Sequence, residues 1–108
     1  MLEGPYDLNN IDYIMTKKLP GVYILSRDGR YAHYVGRSDN DLANRIKSSA
    51  KEGIGYKYFF VEYASSPRDA YLKECEYYHK YNPPDNTNHP AVPEGTNWRC
   101  PVIWCEWS

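Results

Sequence analysis

The sequence lacks a long apolar run, a disulfide-type cysteine pattern and any signal-peptide pattern. Without about 18 consecutive apolar residues, the chain is not expected to span a membrane or to have a membrane partner. Its three cysteines are few and odd in number, which argues against a disulfide-stapled secreted scaffold. The first residues, MLEGPYDLNN, are acidic and polar rather than basic and apolar. We therefore expect a soluble, cytoplasmic protein.

A large net charge is also missing, because 13 Lys and Arg stand against 14 Asp and Glu, for a net charge of −1. A protein that binds nucleic acid over a broad surface is usually strongly basic. An anionic partner must therefore meet a local basic patch or a second chain. The length of 108 residues fits one domain, residues 1–108. Twelve tyrosines predict a core whose rim is polar.

The first half of the chain predicts a hairpin followed by a helix. Residues 19–26 (LPGVYILS) and 30–36 (RYAHYVG) are typical of strands, and Asp28-Gly29 between them favours a two-residue turn. In such a turn, Tyr23 lies directly opposite Tyr34. Residues 39–53 predict a helix, with Ser38 or Asp39 as its N-cap. Residues 1–19 form a lead-in segment with one weak helical turn around Ile11–Met15.

The second half predicts a third strand, a second helix and a tail. Residues 56–64 (YKYFFVEYA) are rich in aromatic and β-branched side chains. The second helix is expected over Pro67–Tyr81, after Ser66 as N-cap and before the Pro83-Pro84 break. The fold class is therefore α/β (α+β): a three-stranded antiparallel sheet flanked by helices, in the order β-β-α-β-α, with an irregular C-terminal tail (residues 87–108).

Two tripeptides on the predicted hairpin are the most specific feature of the sequence: Gly21-Val22-Tyr23 and Tyr34-Val35-Gly36. Further residues follow in a fixed order over residues 20–86: Arg37, Ser38, Leu42, Arg45, Glu74 and Asn86. In this combination the sequence resembles the GIY-YIG nucleases, as a small single-module member. The resemblance implies an endonuclease that hydrolyses DNA phosphodiester bonds, in a cytoplasmic or nucleoid-associated setting. Repair, restriction and mobile-element roles all use this module.

The resemblance also implies roles for individual residues. Glu74 would bind one Mg²⁺ (or Mn²⁺) in a single-metal mechanism, and Tyr23 would be the general base. Tyr34 would position the attacking water or the phosphate, and Arg45 would neutralise charge on the phosphate. The expected substrate-binding residues are Arg37, Ser38, Lys47 and Asn86, with Asn86 also bracing the site.

Two alternatives remain open at the level of sequence. Arg45 lies nine residues after Gly36, whereas many family members have eight. If the helix starts early, Asn44 takes the position of the arginine and catalysis is in doubt. The second alternative is a catalytically inactive module of the same fold that binds nucleic acid or protein, with or without a stabilising zinc ion. Because no separate DNA-binding domain lies within residues 1–108, a protein partner or a homodimer is expected to supply substrate affinity.

The cysteines suggest a separate, structural site. Cys75 and His79 are four residues apart on the second predicted helix, and Cys100 and Cys105 form a C-x4-C pair in the tail, with His89 between the two pairs. These four residues, Cys75, His79, Cys100 and Cys105, could hold a structural Zn²⁺. The simpler interpretation is a buried apolar Cys75 with two free cysteines in the tail.

Overall fold

Segments rich in aromatic and β-branched residues form an antiparallel sheet, and helices pack on both of its faces. The structure is a computed structural model that describes residues 1–108. A short 3-10 turn, Leu8–Asn10, precedes the first α-helix. The elements in chain order are β1 (Glu3–Asp7), α1 (Ile11–Ile14), β2 (Gly21–Ser26), β3 (Tyr34–Ser38), α2 (Leu42–Glu52), β4 (Tyr58–Tyr63) and α3 (Pro67–Tyr81).

The strand order in the sheet is β1-β4-β2-β3, so β3 is an edge strand and β2 is central. All six residues of β2 are buried, because β2 has a strand on each side and a helix over each face. On one face, Tyr23 and Leu25 pack with Leu42 and Ile46 of α2. On the other face, the side chains of Val22 and its neighbours in the sheet pack beneath α3.

The sheet has four strands rather than the three predicted, and the additional strand is β1. It pairs antiparallel with β4, and the ring of Tyr6 lies 5.5 Å from that of Phe59, centroid to centroid. The sequence EGPYD does not predict a strand, because Gly4 and Pro5 are poor strand formers. Proline is tolerated on an edge strand, where its missing N–H faces no partner. The mixed α+β class is as predicted.

The predicted register of the hairpin is wrong by two residues. In the structure Tyr23 lies opposite Gly36, and Tyr34 lies opposite Leu25. Because a shift of two residues leaves every side chain on its original face, Tyr23 and Tyr34 still share a face as diagonal neighbours. Their ring centroids are 6.3 Å apart.

The register differs because the turn is wider than two residues, spanning residues 27–33 between the strands. The Asp28 carboxylate accepts hydrogen bonds from the backbone N–H groups of Arg30 and Tyr31, at 2.8 and 3.0 Å. These bonds stabilise a broad loop at the position where Asp-Gly alone favours a tight turn. They also hold the pKa of Asp28 at about 2, well below its ordinary value.

Both long helices begin at side-chain caps. Asp41 caps α2 by accepting a hydrogen bond from the N–H of Asn44, so the helix starts later than a cap at Ser38 or Asp39 would give. The helix α3 spans the predicted range, and Ser66 caps it as expected. Asn82 ends α3 in the left-handed conformation, before the Pro83-Pro84 break.

The tail contains no helix or strand, as predicted. It is held against α3 by a small apolar cluster of buried residues, Tyr71, Cys75, Cys100 and Cys105. None of the helices has both the length and the apolar character that crossing a bilayer requires.

Candidate active site

A cavity of about 610 Å³ opens beside the edge strand β3. Along β3, successive side chains point to opposite faces, so Tyr34 and Gly36 face α2 while Arg37 faces α3. Because no strand covers this edge, groups from both faces can reach one cavity. The residues of the resemblance that line it are Tyr23, Tyr34, Gly36, Arg37, Ser38, Arg45, Glu74 and Asn86.

Glu74 lies on α3 and is only 7% exposed. Its Oε1 atom accepts a hydrogen bond from Nη1 of Arg37 at 2.6 Å, while its Oε2 atom accepts none from the protein. Burial raises the pKa of Glu74, and the positive charge of Arg37 opposes that shift. Arg37 also contacts Asp39 and lies over the ring of Tyr71. A buried carboxylate with one uncommitted oxygen therefore faces the cavity.

Tyr23 lies beside the cavity but is fully buried, and its hydroxyl is 2.5 Å from Oγ of Ser49 on α2. Burial raises the pKa of Tyr23 to about 12, although the bond to Ser49 and the charge of Arg45 act in the opposite direction. The pKa of Tyr34 is also raised by burial. The hydroxyl of Tyr34 makes no hydrogen bond with the protein, so it remains available to a ligand.

Gly36 provides the space that the Tyr23 ring occupies. A Cβ atom at Gly36 would lie 2.4 Å from both Cζ and Oη of Tyr23, which no side chain tolerates. The glycine that ends the second motif therefore fits the tyrosine that ends the first, directly across the strand pair.

Arg45 lies on α2 and lines the cavity, while its neighbour Asn44 does not. The late start of α2, after Asp41, absorbs the additional loop residue and keeps the arginine on the cavity side. The side chain of Arg45 forms no ion pair and is exposed. Lys47 does not line the cavity, and its side chain pairs with Asp12 of α1.

Ser38 and Asn86, which were expected to bind substrate, hydrogen-bond to the backbone of the protein. Oγ of Ser38 accepts hydrogen bonds from the backbone N–H groups of Asn40 and Asp41, and so shapes the loop before α2. The side-chain amide of Asn86 accepts from N and donates to O of Val35, both at 2.9 Å. Asn86 thereby takes the place of a neighbouring strand at the edge of β3, which fits the bracing role.

The expected zinc ligands are brought together only in part. His79, Cys100 and Cys105 converge, but the fourth member of the cluster is His89 and not Cys75. Cys75 lies one helical turn before His79, about 6 Å along the axis, and its side chain belongs to the buried apolar cluster that contains Tyr71. The side chain of Cys75 contacts that of Cys100 within this apolar cluster, but it lies outside the group of ligand atoms that converge at His79.

Sequence reasoning missed two residues of these sites. Ser49, the partner of Tyr23, lies four residues after Arg45, so helical periodicity places it on the same face of α2. His89 is not among the four zinc ligands that the sequence predicts, although it is the only histidine in the tail and lies three residues after Asn86. In both cases the spacing was visible, but the contact depends on tertiary structure.

No family model and no curated protein matches the sequence. One solved structure is similar: the crystal structure of the GIY-YIG N-terminal endonuclease domain of UvrC from Thermotoga maritima, bound to its catalytic divalent cation, magnesium. The TM-score is 0.59 at 24% sequence identity, and the match covers 73% of this chain and 93% of that domain. The chain therefore has a GIY-YIG-like fold.

Proposed function

We propose that residues 1–108 form one nuclease domain that hydrolyses DNA phosphodiester bonds with a divalent metal ion. The observation that carries this proposal is the convergence of two tyrosines, two arginines and one buried glutamate on a single cavity: Tyr23, Tyr34, Arg37, Arg45 and Glu74. These groups come from two strands and two helices, so packing of one element alone does not explain them. The similarity to an endonuclease domain that binds magnesium supports the same activity.

The donor groups at Glu74 fit a Mg²⁺ or Mn²⁺ ion. Burial raises the pKa of Glu74, and its Oε2 faces no donor from the protein, so the carboxylate lacks full compensation of its charge. Magnesium prefers one or two carboxylates together with water molecules. Glu76, two residues away, is exposed and does not line the cavity, which favours a single ion at Glu74. When bound, the ion would stabilise negative charge on a phosphate oxygen.

The other residues supply positioning and proton transfer. Arg45, whose guanidinium has no protein partner, neutralises charge that develops on the phosphate. Tyr34 orients the attacking water or the phosphate through its free hydroxyl. Tyr23 is the general base, and Ser49 and Arg45 both favour its deprotonated form. Because the pKa of Tyr23 is about 12, the base is active in only a small fraction of molecules at neutral pH.

Substrate affinity is the weak point of an isolated domain. The chain has a net charge of −1, and two of the basic residues outside the cavity are already paired, Arg27 with Asp85 at 2.5 Å and Lys47 with Asp12. Non-specific DNA binding depends on several Lys and Arg contacts to phosphates. We therefore propose that a protein partner or a homodimer adds to the DNA-binding surface.

A binding module without catalysis is the second candidate. The observation that favours it is the pair between Arg37 and Glu74, because an arginine on the carboxylate competes with a cation. In that case the cavity holds a phosphate at Arg45 without cleaving it. The difference between the two candidates is measurable, since only the nuclease needs the charge of Glu74.

The decisive experiment is cleavage of supercoiled plasmid, linear duplex, branched and single-stranded DNA with added MgCl₂ or MnCl₂ and without either. We expect cleavage only with the metal, and products with a 5′ phosphate and a 3′ hydroxyl. The matched variants are Glu74→Gln, which should abolish cleavage, and Glu76→Gln, which should retain it. Cleavage that survives Glu74→Gln, or no cleavage of any DNA form with binding retained, would contradict the proposal.

A further inference from the structure

Four side chains with metal-binding atoms meet where the tail crosses α3. His79 lies near the end of α3, and His89, Cys100 and Cys105 lie in the tail. The ligand atoms, one ring nitrogen from each histidine and one Sγ from each cysteine, all lie within 4.8 Å of one another. Both cysteines are buried, and both histidines are partly buried. The cluster is therefore shielded from solvent on most sides.

Two ring nitrogens of this cluster have no partner in the protein. The Nε2 atoms of His79 and His89 are buried and make no hydrogen bond. A buried polar nitrogen without a hydrogen-bond partner lowers the stability of a protein by about 1–3 kcal/mol. Two such atoms in one cluster indicate that a ligand outside the protein chain pairs with them. The remaining nitrogen of His89, Nδ1, lies 2.9 Å from the carbonyl oxygen of Pro90. If Nδ1 donates its proton there, Nε2 carries the lone pair, which is the form that binds a metal ion.

The tail cysteines also have the local geometry of a ligand loop. The backbone N–H of Cys105 donates to the carbonyl of Val102 at 3.0 Å, which closes a turn between Cys100 and Cys105. The N–H of Trp107 then donates to Sγ of Cys105 at 3.4 Å. Such N–H donors orient a thiolate and offset its charge. The turn brings both sulfur atoms to the same side of the tail, facing the two histidines.

We propose that His79, His89, Cys100 and Cys105 bind one structural Zn²⁺ ion. Two thiolates and two imidazoles are the ligand set of closed tetrahedral zinc sites, and they neutralise the charge of the ion. In such a site the ligand atoms are roughly 3.3–3.8 Å apart, so the longest separation contracts by about 1 Å on binding. Four protein ligands leave no position for water, which makes the ion structural and not catalytic.

The ion would cross-link the tail to α3 and add to the apolar cluster that already packs the tail against this helix. The segment that carries His89 also forms one wall of the candidate active-site cavity, from Asn86 to Ala91. A metal ion at His89 therefore fixes that wall in place. The proposal does not depend on nuclease activity, because a zinc-stabilised domain of any function would bind the ion in the same way.

The experiment is measurement of zinc per chain in protein purified under reducing conditions, by mass spectrometry of the metal. We expect one zinc per wild-type chain, and loss of zinc in His89→Gln and Cys105→Ser. The matched control is Cys75→Ser, which should retain the ion, because Cys75 packs beside the tail cysteines but is not one of the four converging ligands. Circular dichroism of each variant identifies any that fail to fold, and those are excluded from the comparison.

A second measurement avoids variants altogether. Co²⁺ added to metal-free wild-type protein should give the ligand-field bands of a tetrahedral S₂N₂ site, and zinc should displace it. Wild-type protein that contains no zinc and gives no such bands would overturn the proposal, as would retention of zinc in His89→Gln with loss in Cys75→Ser. A Cys100–Cys105 disulfide in protein prepared without oxidant would also overturn it, because the thiolates would no longer be available.

Discussion

Nη1 of Arg37 and Oε1 of Glu74 are 2.6 Å apart, and this ion pair joins the edge strand β3 to the helix α3 across the sheet face. The arginine belongs to the motif segment of the hairpin, and the glutamate follows it by 37 residues. Both side chains are largely buried, with 14% and 9% of their side-chain area exposed. The pair therefore fixes the position of the carboxylate that we propose as the metal ligand.

Glu74→Gln should lose activity without losing stability. The variant keeps an acceptor for Arg37 but removes the charge, and we expect metal-dependent cleavage to fall by at least about 100-fold. Burial raises the pKa of Glu74 in the folded protein above its pKa in the unfolded chain. The charged carboxylate therefore lowers the free energy of unfolding at pH values above the unfolded-state pKa, and this loss of stability disappears as the pH falls below that pKa. Thermal unfolding should show the variant as stable as wild type or more stable at pH 7, with no difference at pH 3.

The variants Tyr23→Phe and Tyr34→Phe should distinguish the roles of the two tyrosines in cleavage. If Tyr23 is the base, the cleavage rate should rise with pH from 6 to 9, because the pKa of about 12 keeps the phenol protonated over that range. The variant Tyr23→Phe should lose most of the activity, and any residual rate should not rise with pH, whereas Tyr34→Phe should cleave more slowly with the same rise. Single-turnover rates at each pH provide the measurement. A plateau near pH 7 in the wild type would assign the base elsewhere.

Ser49→Ala tests the hydrogen bond to Tyr23. The bond lowers the pKa of the tyrosine, so its removal should raise that pKa further and leave less of the base deprotonated. One hydrogen bond of about 1 kcal/mol corresponds to roughly a fivefold slower rate at pH 7. The comparison variant is Ser48→Ala, the neighbouring serine, which does not contact Tyr23 and should cleave at the wild-type rate. Equal rates for both variants would show that Ser49 has no influence on the base.

Arg45→Ala and Lys47→Ala form a matched pair on α2. Both residues are exposed cations, but only Arg45 lines the cavity, whereas Lys47 pairs with Asp12. We expect a loss of about 100-fold in cleavage for Arg45→Ala and less than about threefold for Lys47→Ala. Both should unfold within about 0.5 kcal/mol of wild type, since each is a surface change. A larger loss of cleavage in Lys47→Ala than in Arg45→Ala would indicate that the phosphate binds on the Lys47 side of α2.

Gly36→Ala should destabilise the domain, because the new methyl group lies 2.4 Å from the Tyr23 ring. Forcing an additional methyl group into such a contact typically costs about 1–3 kcal/mol. The cost should disappear in the double variant with Tyr23→Ala, where the ring is absent. A double-mutant cycle from denaturant unfolding measures this coupling. Additive effects of the two changes would show that the ring and the glycine do not constrain each other.

Local sequence signals account for several elements of this protein. The helix α3 follows from Ser66, Pro67 and the Pro83-Pro84 break, because caps and breakers act within a few residues. The shared face of Tyr23 and Tyr34 follows from strand alternation, which survives the two-residue error in register. The motif order over residues 20–86 was enough to identify the GIY-YIG-like fold.

Tertiary structure decided what depends on contacts between distant segments. The strand β1 forms only because β4 offers an open edge, and its own residues EGPYD favour no strand. Likewise Ser49 contacts Tyr23 because of the way α2 packs on the sheet. His89, and not Cys75, joins the group of metal-binding side chains because of the path that the tail takes across α3. Local propensity encodes turns, caps and periodicity over a few residues, whereas these contacts depend on the packing of the whole chain.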